Sequence, residues 1–203
     1  MKKILLVISF LFTLHSISFA SNNDKSPEVR EFVANIGNSI IAASKDETIN
    51  GQEKTNQIIK IVDNSIDSRW ISRFVLGVNY RKANTSQRDK FRTLYRQYMI
   101  NTYGPKFKNY KGDSFNVKTV AKQKRFYLVT TDFITSKTDP AISIDFRVKD
   151  YKGKLVILDF IAEGISLIET QRSEFNSAIS KNGLDSFLDD LEERVRILKE
   201  TKS

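Results

Sequence analysis

Few side chains in this sequence are equipped for covalent or metal chemistry. Its 203 residues include no cysteine and a single histidine, His15. His15 falls within an apolar N-terminal run, ILLVISFLFTLHSISF, that follows Met1-Lys2-Lys3 and ends at Ala20. A short basic start, an apolar stretch and small residues at Ser18 and Ala20 describe a secretory signal peptide. The alternative, a transmembrane anchor, is disfavoured because Thr13, His15, Ser16 and Ser18 interrupt a run already short for a bilayer. Residues 1–20 are therefore expected to be cleaved, and the mature chain 21–203 has neither imidazole nor thiol. That excludes Ser-His-Asp and Cys-His nucleophilic sites, zinc sites built from His and Cys, c-type haem attachment and disulfides.

The remaining cluster with chemical character is Asp159, Glu163 and Ser166, at the end of an apolar run. A catalytic carboxylate and serine would need a base beside Ser166, and none is available. The simpler reading is a turn in which Gly164 supplies backbone freedom and Ser166 caps a following helix. Asp159 is then a structural acceptor for a backbone or Arg/Tyr donor. No catalytic residue, no metal site and no cofactor are expected.

The elements that hold this corner follow from periodicity. Leu155–Ala162 is apolar and β-branched, the composition of a strand covered on both faces. Before it, Ile142, Ile144, Phe146 and Val148 alternate with Ser143, Asp145 and Arg147, so one strand face is solvated. Segments 114–121 and 125–135 also have strand character, and Asp150-Tyr151-Lys152-Gly153 makes a hairpin turn. Toward the N-terminus the period is helical. Val29, Phe32, Val33, Ile36, Ile40 and Ala43 form one stripe, and Ile58, Ile61, Val62 and Ile66 the next. Asp67-Ser68 can cap a helix over 69–80. Ser86 and Asp89 are spaced as a capping box for a helix carrying Phe91, Leu94, Tyr95, Tyr98, Met99 and Thr102, ended by Gly104-Pro105. Helices return at about 168–180 and 184–199, separated by Asn182-Gly183. With three prolines and no linker or repeat, the chain reads as one domain. Helices, about four antiparallel strands, then helices make an α+β fold, a meander with helices over one sheet face.

The formal net charge is +9, or +7 once Lys2 and Lys3 leave with the signal. An exported protein rarely meets nucleic acid, so no nucleic-acid partner is expected. An anionic membrane surface, an acidic partner or simply a solvated basic surface accounts for the charge.

Two long blocks, Val75–Gly104 and Leu158–Leu191, resemble the MlaC family. The matching residues are Leu76-Gly77, Gln87-Arg88, Phe91, Tyr98 and Tyr103 in the first block. In the second they are Asp159, Ile161-Ala162-Glu163-Gly164, Ser166, Thr170, Glu174-Phe175 and Gly183-Leu184-Asp185. Ser68 replaces the family's aromatic just after Asp67. The resemblance implies an NTF2-like α+β domain enclosing an apolar cavity that holds phospholipid acyl chains as cargo. It implies a monomer of the Gram-negative periplasm that shuttles lipid and maintains outer-membrane lipid asymmetry. The implied partners are an outer-membrane lipoprotein–porin complex and an inner-membrane ABC transporter complex.

On that reading, the lipid-lining candidates lie on the apolar sheet face and on the helices that cross it. They are Leu76, Tyr80, Leu94, Tyr98, Val129, Phe133, Ile144, Phe146, Leu158, Phe160 and Ile165. In strand 126–134 the face of Tyr127, Val129, Thr131 and Phe133 is preferred because the other carries Asp132. In the last strand the face of Val156, Leu158, Phe160 and Ala162 is preferred because the other carries Asp159, and an unpaired buried charge is costly. A different class remains as the alternative: an exported NTF2-like enzyme using a buried carboxylate as general base. That reading requires Asp132 or Asp159 inside the cavity. A third is an interaction module with a filled interior.

Overall fold

A computed structural model of the chain describes residues 24–105, 112–135 and 140–200. The expected signal segment (1–20) lies outside the described residues. The helices before the sheet are α1 (Ser26–Lys45), α2 (Gly51–Ser65), α3 (Ser68–Leu76), the short α4 (Asn79–Lys82) and α5 (Thr85–Tyr103). The strands are β1 (Ser114–Lys122), β2 (Tyr127–Ile134), β3 (Ile142–Tyr151), β4 (Lys154–Ala162) and β5 (Ile165–Ser166). The C-terminal helices are α6 (Leu167–Asn182) and α7 (Leu184–Glu200). The fold is α+β. Its sheet is an antiparallel meander in sequential order, with five strands instead of about four. The extra strand is a two-residue return, Ile165–Ser166, that pairs with the end of β4.

Local chemistry starts and stops these helices. Asn50 caps α2 and Asn84 caps α5, each in a reciprocal capping box with Glu53 and Gln87. The α5 cap thus falls at Asn84 and not at Ser86. Starting there satisfies two otherwise orphaned amides and adds residues to the helix. Asp67 caps α3 by accepting from the Trp70 amide at 2.9 Å. The helix expected over 69–80 breaks at Gly77, whose φ of +60° favours glycine.

Two cores form. In the first, α1 lies on the sheet, and Val29 and Val33 pack with Phe115, Val129, Phe146, Val148 and Ile157. Gly37 lets the Phe115 ring approach the α1 backbone. In the second, α3, α5, α6 and α7 enclose an aromatic cluster. Phe91 is fully buried and meets Phe175 edge-on at 6.3 Å. Phe187 lies 5.0 Å from Phe175. Full burial of each such side chain contributes about 1.5–3 kcal/mol.

The register of β4 contains the main departure from simple alternation. Arg147 pairs with Asp159 but Val148 pairs with Ile157, so Leu158 is an extra residue in a β-bulge. The bulge exchanges faces along the strand. Phe160 joins Leu155 and Ile157 in the α1 core, and the expected face of Val156, Leu158, Phe160 and Ala162 is split.

Candidate functional site

Between α2, α5 and the β3–β4 end of the sheet lies a cavity of about 500 Å³. Ile58, Ile59 and Val62 of α2 form one wall, and Tyr95, Met99 and Ile100 of α5 another. Ile144, Phe160 and Ala162 form the sheet side, and Ile165, Leu167 and Ile168 close the end where α6 begins. The amphipathic stripe of α2 faces inward because Ile66 bridges Ile157 of β4 and Asp67 donates its amide to the Ile157 carbonyl at 3.3 Å. Those contacts seat the C-terminal end of α2 against the sheet.

The polar atoms in this wall are turned to other partners. The Ser72 hydroxyl donates to the Ser68 carbonyl at 2.7 Å, and the Thr170 hydroxyl to the Ser166 carbonyl at 2.9 Å. The Tyr95 hydroxyl donates to Gln171 Oε1, and burial pushes its pKa well above the ordinary phenol value. The amide of Gln171 in turn donates to the Met99 sulfur at 3.0 Å. What remains toward the cavity is hydrocarbon. Charge enters only at the rim, through Asp63, Arg92 and Arg96 among the described residues. Arg96 donates from Nε to Asp63 Oδ2 at 3.1 Å and also from Nη2 to the same oxygen. Arg92 pairs with Asp89 at 2.9 Å.

Beside the cavity, the Asp159 corner is a structural joint. Glu163 and Gly164 both have positive φ, which makes the tight return from β4 to β5. The Ser166 hydroxyl caps α6 by accepting from the Glu169 amide at 3.1 Å, and donates to Asp159 Oδ2 at 2.6 Å. Asp159 also accepts from the Ile168 amide at 3.3 Å and from Arg147 Nη1 at 3.0 Å. Burial raises its pKa above the usual carboxylate range, opposed by these hydrogen bonds and by Arg147. Asp159 is fully buried but is not on the cavity wall. Asp132 is paired with Lys118 at 2.9 Å. Neither carboxylate is placed where a general base acting on a bound ligand would have to be. Among the described residues no group of three or more His, Cys, Asp or Glu is placed to hold a metal.

The MlaC protein family matches residues 33–193. The chain belongs to the MlaC family. Its fold is also that of a solved phospholipid-binding protein from Ralstonia solanacearum, captured in complex with a phospholipid. The two superpose with a TM-score of 0.74 at 20% sequence identity, over 84% of this chain and 98% of the other. At that identity the likeness establishes the shared fold.

Within this MlaC-family chain, Ile144, Phe160 and Ile165 of the eleven lining candidates stand on the cavity wall. The other eight lie elsewhere. Leu76 and Leu94 fill the helical core, and Tyr98 packs edge-on against Phe175 at 6.0 Å. Tyr80 lies beneath the Arg88 guanidinium, 4.6 Å from the ring centre. Val129, Phe133 and Phe146 pack into the α1–sheet core, where Phe133 meets Phe115 at 4.6 Å. Leu158 is the buried bulge residue. The preferred face of β2 does point inward, with Tyr127, Val129 and Phe133 in the α1 core. It is simply covered by α1 instead of by a void.

The wall residues missed from sequence sit next to those chosen. A helix turns 100° per residue. Leu94 and Tyr98 belong to the aromatic core alone, while Tyr95 and Met99, one position on, pack against that core and also line the cavity. The breadth of the α5 stripe was the available signal: it covers two different surroundings. Ile58 and Val62 were visible as a stripe, but nothing in a stripe distinguishes a filled neighbour from an empty one.

Proposed function

We propose that this protein is a periplasmic phospholipid carrier, a monomer of one lipid-binding domain (21–203) released from a cleaved signal peptide (1–20). The observation that supports it is the 500 Å³ hydrocarbon-walled cavity with charge confined to its rim. A methylene occupies about the space of a water molecule, roughly 30 Å³, so the cavity admits on the order of sixteen such groups. That is about one long acyl chain. Each buried methylene contributes about 0.8 kcal/mol, so sheltering such a chain offsets roughly 13 kcal/mol of exposure to water. The gain resembles that in a bilayer, so exchange between bilayer and protein is nearly neutral, as a reversible carrier requires.

Hydrocarbon walls cannot discriminate headgroups, so the polar end stays at the rim. Nor can they give direction. In this reading, direction comes from docking in turn at an outer-membrane lipoprotein–porin complex and an inner-membrane ABC transporter complex, and the traffic maintains outer-membrane lipid asymmetry. The protein acts by binding and release, without a catalytic step.

Purified protein, extracted with organic solvent and examined by lipid mass spectrometry, is expected to yield stoichiometric phospholipid. It is also expected to take up labelled phospholipid from vesicles. Absence of both would refute the carrier reading.

A further inference from the structure

The cavity as it stands accommodates about one acyl chain, whereas a diacyl phospholipid brings two, roughly thirty methylene-sized groups at about 30 Å³ each. Loading such a lipid therefore requires the walls to part. The two helical walls, α2 and α5, are tied across the rim by the ion pair of Asp63 with Arg96, and both residues line the cavity. One turn earlier on α5, Arg92 also reaches the rim. Its own partner, Asp89, is not a lining residue. The lining thus holds two guanidinium groups and one carboxylate, with a second carboxylate, Asp89, in contact with Arg92 just behind it.

Resting on the carrier reading, we propose that Arg96, assisted by Arg92, is the binding site for the lipid phosphodiester, and that Asp63 is its placeholder. Arg96 already directs Nε and Nη2 at a carboxylate oxygen. A phosphodiester offers the same single charge and two unesterified oxygens, a better match to the planar guanidinium fork. When the phosphate takes Arg96, Asp63 is released to solvent, which it already contacts with 27% of its side chain exposed. The tie between α2 and α5 is then broken at the moment the chains need the wider space. Headgroup arrival and cavity opening become one event. A lipid without phosphate cannot exchange with Asp63, so it meets the closed clasp.

The test measures uptake by the full mature protein from vesicles carrying radiolabelled phosphatidylethanolamine or diacylglycerol with the same two chains. Wild type is expected to load the phospholipid about tenfold better, the discrimination of one charge-assisted contact. Arg96→Gln is expected to abolish that preference by lowering phospholipid uptake alone, with diacylglycerol uptake unchanged or faster. Arg96→Lys, which keeps the charge but not the fork, should retain part of the preference. Asp63→Asn frees Arg96 and should load phospholipid severalfold faster. Circular dichroism melts check that each variant folds. An equal loss of both lipids in Arg96→Gln, slower phospholipid loading by Asp63→Asn, or no preference in wild type would overturn the proposal while leaving a carrier. Wild type taking up neither lipid would overturn the carrier reading and this proposal with it. Inorganic phosphate titrated alone should give no calorimetric signal. An Arg96-dependent phosphate isotherm that ignores lipid would assign the site to free phosphate and overturn the proposal.

Discussion

Replacing Ala162 with phenylalanine tests whether the cavity itself holds the cargo. Ala162 lines the void from the sheet side, opposite Ile144 on β3 and Ile165 on β5. The substitution adds six ring carbons, about six of the roughly sixteen methylene-sized places available. If each displaced methylene forfeits about 0.8 kcal/mol, the upper bound is about 5 kcal/mol. Part of the chain can bend toward the open rim, where Ile165 is already 64% exposed. The expected loss is therefore at least about 2 kcal/mol, roughly 30-fold in affinity. The fold should tolerate the change, because aromatic side chains suit strands and the ring enters unfilled space. Affinity is measured by displacement of a fluorescent phospholipid, and folding by thermal melts. Ser143→Phe, which adds the same ring on the solvated face of β3, serves as the control and should leave affinity unchanged. A well-folded Ala162→Phe protein that binds lipid with wild-type affinity would refute the assignment of the cavity as the cargo site.

Asp159→Ala leaves the Arg147 guanidinium, the Ser166 hydroxyl and the Ile168 amide without their shared acceptor. It should cost about 3–5 kcal/mol, read as a fall in the urea midpoint. Because burial raises the folded-state pKa of Asp159, the folded protein binds this proton more readily than the unfolded chain. Wild-type stability relative to the non-titrating Asp159→Asn variant should be greatest below the ordinary aspartate pKa and decline as pH rises through the folded value. Urea titrations of the pair, run from below the ordinary aspartate pKa of about 3.9 up to neutral pH, that give the opposite slope would contradict the placement. Gly37→Ala should destabilise by about 1–3 kcal/mol, although alanine favours helices, because its Cβ would lie 2.1 Å from Phe115 Cδ1. A thermal melt with Tm at or above wild type would count against the α1–β1 packing. Asn84→Ala removes the α5 capping box and should cost about 1 kcal/mol by chemical denaturation, whereas Ser86→Ala should cost less.

Much of the architecture was readable because its signals are local. The α1 stripe from Val29 to Ala43, the alternation from Ile142 to Val148 and the Lys152-Gly153 turn each depend on neighbours within a few residues, and each appears where its pattern places it. Ser166 as a cap and Asp159 as a structural acceptor were also legible, since the turn chemistry around Gly164 was complete within a few residues. The candidates that lie off the cavity wall have one common origin. Leu94, Phe146 and Val129 are as apolar as Met99, Phe160 and Ile58, and apolarity does not say whether the facing space is filled.

By itself, then, the sequence determined the order and type of most elements, many of the caps and turns that bound them, the exclusion of thiol chemistry, and the likeness to the MlaC family. Tertiary structure alone decided three things. The bulge at Leu158 exchanged the faces of β4, because one added residue in a period-two strand redirects every side chain beyond it. Val129 and Phe146 came to be covered by α1, and Leu94 and Tyr98 by the aromatic cluster. The void between α2 and α5, with Asp63 and Arg96 meeting at its rim, exists only because elements distant in sequence are held apart at that spacing. A cavity is a property of the distances between surfaces, and no residue pattern along a single chain segment encodes those distances.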